Sequence, residues 1–181
     1  MTSRLSAVAS LSFAAMFATL SPAVLAQQAP AVPDALKVPL GHVLKFAAHA
    51  DGFQVYQCGQ DKADPKLYAW TLTGPQADLF DTQGNKLGTH YAGPTWESKD
   101  GSKIVGQVKA SDPSPDPASI AWLLLEAKST AGVGAMNSIT HVQRLQTHGG
   151  KAPTAGCKAE TAGTSVNAPY SAIYYFYEAA K

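Results

Sequence analysis

The sequence predicts an all-β fold, an antiparallel β-sandwich or a barrel-like domain of about eight or nine short strands with one disulfide. Three observations predict it. Short apolar or aromatic runs recur at roughly ten-residue spacing, and clusters of Gly, Pro, Asp and Asn separate them. The 181-residue chain also carries just two cysteines, Cys58 and Cys157, both well beyond its N-terminal segment.

Residues 1–26 read as a secretory signal peptide. Arg4 is the only charge in a stretch that continues through "LSAVASLSFAAMFATLSPAVLA". Its apolar part contains Ser and Thr and falls short of the ~20 strongly apolar residues of a membrane span. Val24 and Ala26 put small residues at the −3 and −1 positions of a cleavage site before Gln27. Gln27, not a Cys able to accept a lipid, directly follows that point. The expected location is therefore periplasmic or secreted, with no integral membrane segment after signal removal. About 155 residues remain, the size of one domain. Residues 27–40, mostly the Pro- and Ala-rich "QQAPAVPDALKVP", form an extended lead-in, and residues 41–181 form a single all-β domain.

Charge narrows the partners. Lys and Arg total 14 against 13 Asp and Glu, and losing Arg4 balances them. A neutral chain without a basic stripe argues against nucleic acid, whose phosphates must be neutralised for affinity. Anionic membrane surfaces are disfavoured for the same reason. The partner expected instead is a small molecule or a polysaccharide.

In an oxidising compartment Cys58 and Cys157 most simply pair with each other. The bond closes a loop of about 100 residues, for which chain entropy allows roughly 4–5 kcal/mol at most. A reactive thiol would need an activating base, and neither cysteine has a His near it in sequence.

Along the chain, "HVLKFAAHA" and "FQVYQC" flank Asp51-Gly52 and read as a hairpin. "KLYAWTLT" is expected to end at Gly74-Pro75. "ADLFD" and "KLGTHY" flank "TQGN" as a second hairpin, and "PTWES" and "KIVGQVKA" flank "KDGS" as a third. "ITHVQRLQT" and the aromatic "SAIYYFYE" complete the set. "DPASIAWLLLEAKSTAG" is ambiguous. Its Asp-Pro start and trailing Gly are helix signals, yet Ile120 to Leu125 is a continuous apolar run fit for a strand buried on both faces. Periodicity cannot separate the two; the neighbouring strands favour strand.

Several chemistries find little support. Gly132 and Gly134 supply G-x-G, but Asn137 stands at the third position and no βαβ pattern follows, so no dinucleotide cofactor is expected. No G-x-S-x-G nucleophile elbow is present. The five histidines, His42, His49, His90, His141 and His148, show neither H-x-x-x-H nor H-x-H spacing, and no native metal site is expected.

Two stretches remain as ligand-binding candidates. In "GTHYAGPTWESKDGS", Gly88 to Ser102, the rings of His90, Tyr91 and Trp96 offer flat surfaces for stacking, while Glu97 and Asp100 offer acceptors. The same stretch is also explained as scaffold, with Trp96 in the core and Asp100-Gly101-Ser102 as a turn. In "HVQRLQTHGGKAP", Arg144 sits inside an expected strand and is the sole arginine after Arg4. It either pairs with an acid or holds an anionic ligand, the ion pair being the simpler use. His148 opens a Gly-Gly loop at the strand end.

Taken in order and spacing, "GFQVYQC", "YAWTLTGPQADLFDTQGNKLGTHYAGPTWESKDGSKIVG", "IAWLLLEAKSTAGVGAMNSITHVQRLQTHGGKAPTAGC" and "YYFYE" resemble the domain of unknown function 3455 family, found in exported bacterial and fungal proteins. The resemblance covers nearly all of residues 41–181. It implies no activity, cofactor or catalytic residue.

The expectation is thus an exported protein of unknown biochemical function, foremost a ligand- or glycan-binding all-β module. A small extracytoplasmic hydrolase or isomerase using His90 with Asp100 or Glu97 is one alternative, and a structural or adhesive envelope protein is another. Geometry discriminates among them. A binding edge would leave His90 and Trp96 partly exposed at a cleft near His148-Gly149-Gly150. Catalysis would need an acid–base pair within hydrogen-bond reach. Burial of both side chains under a flat surface would favour the structural role.

Overall fold

The computed structural model describes residues 28–181; the segment read as a signal peptide, residues 1–26, lies outside them. Eight antiparallel strands form one closed barrel in which each pairs with its neighbour in sequence and the last returns to the first. They are β1 (His42–Gln60), β2 (Tyr68–Phe80), β3 (Lys86–Tyr91), β4 (Thr95–Ser98), β5 (Lys103–Asp112), β6 (Trp122–Ala131), β7 (Ile139–Gly149) and β8 (Ser165–Ala179). Two single 3-10 turns, Asp34–Leu36 and Ala159–Thr161, are the only helical elements among the described residues. The fold is the all-β architecture that the sequence predicts, and closure leaves the sheet without an unpaired edge.

Two expected breaks are not breaks. Asp51-Gly52 lies mid-strand: β1 runs through it and keeps its register with β2, Asp51 opposite Asp78 and Gly52 opposite Ala77. A Cβ on Gly52 would stand 2.2 Å from the Gln76 carbonyl oxygen. The glycine is there because the partner backbone crosses too closely for a side chain, which is its second use besides turns. Likewise β2 continues through Gly74-Pro75. The β1–β2 register shifts there, with Val55 opposite Gly74 and Tyr56 opposite Leu72, and the extra Thr73 hydroxyl donates to the Val55 carbonyl at 3.0 Å. Pro75 is tolerated because the β2–β3 ladder has already ended at Gln76–Tyr91, so the missing N–H is not needed on that side. The "TQGN" and "KDGS" hairpins form as expected, joining β2 to β3 and β4 to β5.

The ambiguous apolar run is strand, and it is buried on both faces. Leu125 belongs to the barrel interior with Leu123 packed beside it, while Leu124 belongs to an outer cluster with Leu36 and Leu145. The second cover comes from the N-terminal lead-in. Leu36 is wholly buried, with Val32 and Val38 flanking it. The Leu36 carbonyl accepts from Gln143 Nε2 at 2.7 Å, and Gln143 Oε1 accepts from the Tyr177 hydroxyl at 2.7 Å. A pair of buried polar groups is thereby satisfied under the lead-in, as burial requires.

Cys58 and Cys157 are bonded, with Cα atoms 5.3 Å apart. The bond ties β1 to the segment before β8, where the Cys58 N–H also donates to the Thr164 carbonyl.

Candidate functional site

The barrel interior is built from large residues facing small ones. Trp96, Tyr174 and Phe176 occupy it, and Ala48, Ala50 and Ala77 on β1 and β2 leave them room. Gly106 does the same on β5: a Cβ there would lie 2.8 Å from Trp96 Cζ3. Eight strands enclose just enough space for side chains or for one small ligand. Side chains fill much of this interior, and space remains toward the end where β2 passes the β3–β4 turn.

At that end lies a cavity of about 280 Å³, opening between Gly74-Pro75 and the β3–β4 turn at Gly93-Pro94. It is close to the small end of ordinary ligand pockets, which run roughly from 300 to 1,000 Å³. Leu123, Leu125, Trp96 and Pro94 form apolar walls. Leu72 and Val108, about half exposed at 50% and 49%, make an apolar rim. The polar groups reaching the lining are Gln54, Thr73, His90, Arg144 and Tyr174, with no carboxylate among them.

His90 is 3% exposed and Trp96 1%, so neither is the exposed edge that a surface binding site would present. They are walls of the cavity instead. His90 Nδ1 lies 2.8 Å from the Thr95 carbonyl oxygen, which can only accept. Nδ1 therefore carries the proton and Nε2 the lone pair. Burial holds the imidazole neutral down to about pH 3, and the nearby Arg144 cation adds to the effect. The sequence signal that mattered here was register. His90 and Trp96 are direct partners across the β3–β4 ladder, and adjacent Tyr91 and Glu97 consequently face outward.

Tyr91 and Glu97 meet on that outer face, the Tyr91 hydroxyl donating to Glu97 Oε2 at 2.6 Å, with Lys103 Nζ 3.9 Å from the same oxygen. The bond to the carboxylate raises the Tyr91 pKa. Asp100 is at the far end of β4 and serves a turn. Its Oδ1 accepts from the Ser102 N–H and hydroxyl, and its Oδ2 accepts from the Ala135 N–H. Those bonds hold its carboxyl down to about pKa 2. Neither acid hydrogen-bonds to His90. The His–carboxylate pair that a hydrolase or isomerase would use is not formed.

Arg144 faces the cavity from β7, opposite Leu123 of β6 and Tyr174 of β8. Its Nε and Nη2 both donate to the Ala121 carbonyl, at 3.2 and 2.8 Å. The ion pair suggested by the sequence is absent: every ion pair among the described residues is made by a lysine. His148 is exposed in β7 opposite Ser171 and does not line the cavity. The structure thus brings His90, Trp96 and Arg144 together and leaves Tyr91, Glu97, Asp100 and His148 apart from them.

Sequence reasoning missed Gln54. It is 1% exposed, and its Nε2 is buried without a hydrogen-bond partner, as is Trp96 Nε1. Buried polar atoms are nearly always paired, so two unpaired donors on residues lining one cavity are informative. Gln54 alternates in register with inward Ala50 and Gly52, and that period was hidden by reading Asp51-Gly52 as a turn.

No curated protein and no solved structure matches the chain. A family profile does, over residues 39–178, which takes in the whole barrel up to the penultimate residue of β8. The chain belongs to the DUF3455 family, whose members are proteins of unknown function.

Proposed function

We propose that this protein is an exported binding barrel that takes a small molecule in the cavity between Gly74-Pro75 and Gly93-Pro94. The observation that carries the proposal is the unpaired, buried Gln54 amide nitrogen on a residue that lines a mostly apolar cavity. An unmet donor in such a place costs about 1–3 kcal/mol, and a ligand acceptor would recover that cost. Export is supported by the signal-like residues 1–26 and by the disulfide. No helix among the described residues is long and apolar enough to cross a membrane.

The rival readings are less well served. An imidazole that stays neutral to about pH 3 is a weak general base at neutral pH, and it has no carboxylate to orient it. Burial of His90 and Trp96 fits a scaffold role for those two rings. The concave, apolar-rimmed opening beside them is not the flat surface that a purely structural role predicts.

A thermal-shift screen of the oxidised protein against small metabolites and oligosaccharides tests the proposal. A ligand that binds only the folded state raises Tm by an amount that grows with the logarithm of its concentration relative to Kd. Leu123→Trp, which fills the cavity from its wall, should abolish the shift. A hit that persists in that variant, or an oligosaccharide hit that maps to Tyr91 and Glu97, would move the site elsewhere.

A further inference from the structure

Resting on that reading of the cavity, we infer that its ligand is an organic monoanion: a single carboxylate, or a group of like charge, carried on an apolar body. The inference follows from the charge inside the barrel.

Arg144 is a permanent cation directed at a cavity whose lining holds no Asp or Glu. Removing a guanidinium even partly from water is costly unless a partner compensates it. The Ala121 carbonyl, which receives both Nε and Nη2, fixes the head without neutralising it. The Tyr174 hydroxyl, the nearest polar side-chain group, is uncharged and does not neutralise it either. A guanidinium held by a backbone carbonyl has already lost its rotamer freedom, so an incoming anion does not have to order it.

The surroundings agree in sign. Gln54 Nε2 and Trp96 Nε1 are donors without acceptors. Unpaired donors on residues that share a cavity lining with a cation fit a site for oxygen acceptors. One charge is the right number, because Arg144 is the only Lys or Arg in the lining. A phosphomonoester dianion would have one cation for two charges, and would leave the Leu72, Val108, Leu123 and Leu125 surface uncovered. An uncharged hydrocarbon would cover that surface and leave the guanidinium unmet. A cationic ligand would be repelled. The apolar rim at Leu72 and Val108 places the hydrocarbon toward the opening and the acid toward Arg144.

The test uses three molecules of one shape. Octanoate, 1-octanol and octylamine are titrated into the oxidised protein at pH 7 by calorimetry, with Tm measured in parallel. Octanoate is expected to bind at least tenfold more tightly than either isostere. Arg144→Gln should remove that preference, bringing octanoate affinity to within about threefold of that for 1-octanol. If Arg144→Gln does not fold, Gln54→Leu replaces it, with octanoate binding expected to fall and octanol binding to hold or rise. Equal binding of octanoate and 1-octanol would overturn the anion inference while the cavity remains a binding site. Binding of none of the three, or of octanoate unaffected by Leu123→Trp, would overturn both the inference and the site on which it rests.

Discussion

The imidazole of His90 lies flat against the indole of Trp96, ring centroids 4.4 Å apart and planes 10° from parallel. The pair is a cross-strand contact of the β3–β4 ladder turned into the barrel. Tyr174 meets both rings edge-on, at 5.0 Å from His90 and 5.4 Å from Trp96. These three rings make one packed layer that lines the cavity, and Phe176 meets Trp96 edge-on at 6.2 Å from within the core. What the layer does for stability can be separated by substitution from what the cavity does for binding.

Trp96→Ala should cost about 3–5 kcal/mol, because a fully buried aromatic is deleted and its layer cannot collapse around the gap. Urea unfolding at neutral pH measures it. Gly106→Ala attacks the same ring from behind, since the new methyl would sit 2.8 Å from Trp96 Cζ3; about 1–3 kcal/mol of overpacking is expected. A Trp96→Ala protein within 1 kcal/mol of wild type would mean that the ring is not core.

His90 predicts a pH dependence with a definite sign. Its folded pKa, about 3, is below the ordinary histidine value of 6.5. Between those pH values the unfolded chain binds a proton that the folded chain refuses. Stability is therefore complete above about pH 6.5 and declines as pH falls toward 3, by on the order of 1.4 kcal/mol per pH unit for this one proton. In His90→Gln the slope of unfolding free energy against pH in that window should be shallower by one proton. The half-buried His141, also lowered by burial, keeps a smaller slope in the variant. An unchanged slope would place the His90 imidazole in contact with water.

The sequence made the barrel legible through β2 to β5, where turn chemistry and strand period agree at "TQGN" and "KDGS". It misled at Asp51-Gly52 and Gly74-Pro75, because glycine and proline mark close backbone approach and single-sided strands as well as turns. The apolar run through Leu123-Leu124-Leu125 was readable as doubly buried, but the strap that covers its outer face was not, since the prolines of "PAVPDALKVP" break its apolar residues into no helical or strand period that would announce a docking surface. His90, Trp96 and Arg144 stood out by residue type. Their convergence depended on register, and register depended on the bulges between Val55 and Tyr56 and between Leu145 and His148, which no local signal discloses.

Asp100 should matter at low pH and not for ligand. Its carboxylate ties the β4–β5 turn to the Gly134–Met136 loop through the Ala135 N–H, while the Ser102 hydroxyl donates to it and accepts from the Met136 N–H at 3.0 Å. Its folded pKa of about 2 lies below the ordinary 3.8. The stability it contributes is present above about pH 4 and is lost as pH falls through 2. Asp100→Asn should lower Tm at pH 7 and flatten the acid-unfolding curve below pH 4, with hydrogen exchange accelerated at Ala135 and Met136. Octanoate affinity should be unaltered; a loss would connect the KDGS turn to the cavity.

Leu36 tests whether the lead-in is a linker or a part of the fold. A Pro-rich extended linker would tolerate substitution there within about 0.5 kcal/mol. The side chain is instead completely buried between Leu124 and Leu145, and its carbonyl satisfies Gln143, which satisfies Tyr177. Leu36→Ala should cost about 2–5 kcal/mol. Leu36→Asp should cost more, since it places an unpaired charge against the outer face of β6 and β7. The strap lies outside the barrel and lines no part of the cavity, so octanoate affinity, measured where each variant is folded, should stay within twofold of wild type. Free-energy loss without affinity loss is the expected signature. Loss of affinity in a folded Leu36→Ala protein would show that the strap transmits strain through Leu123 and Arg144, and that the outer cluster and the cavity are one cooperative unit.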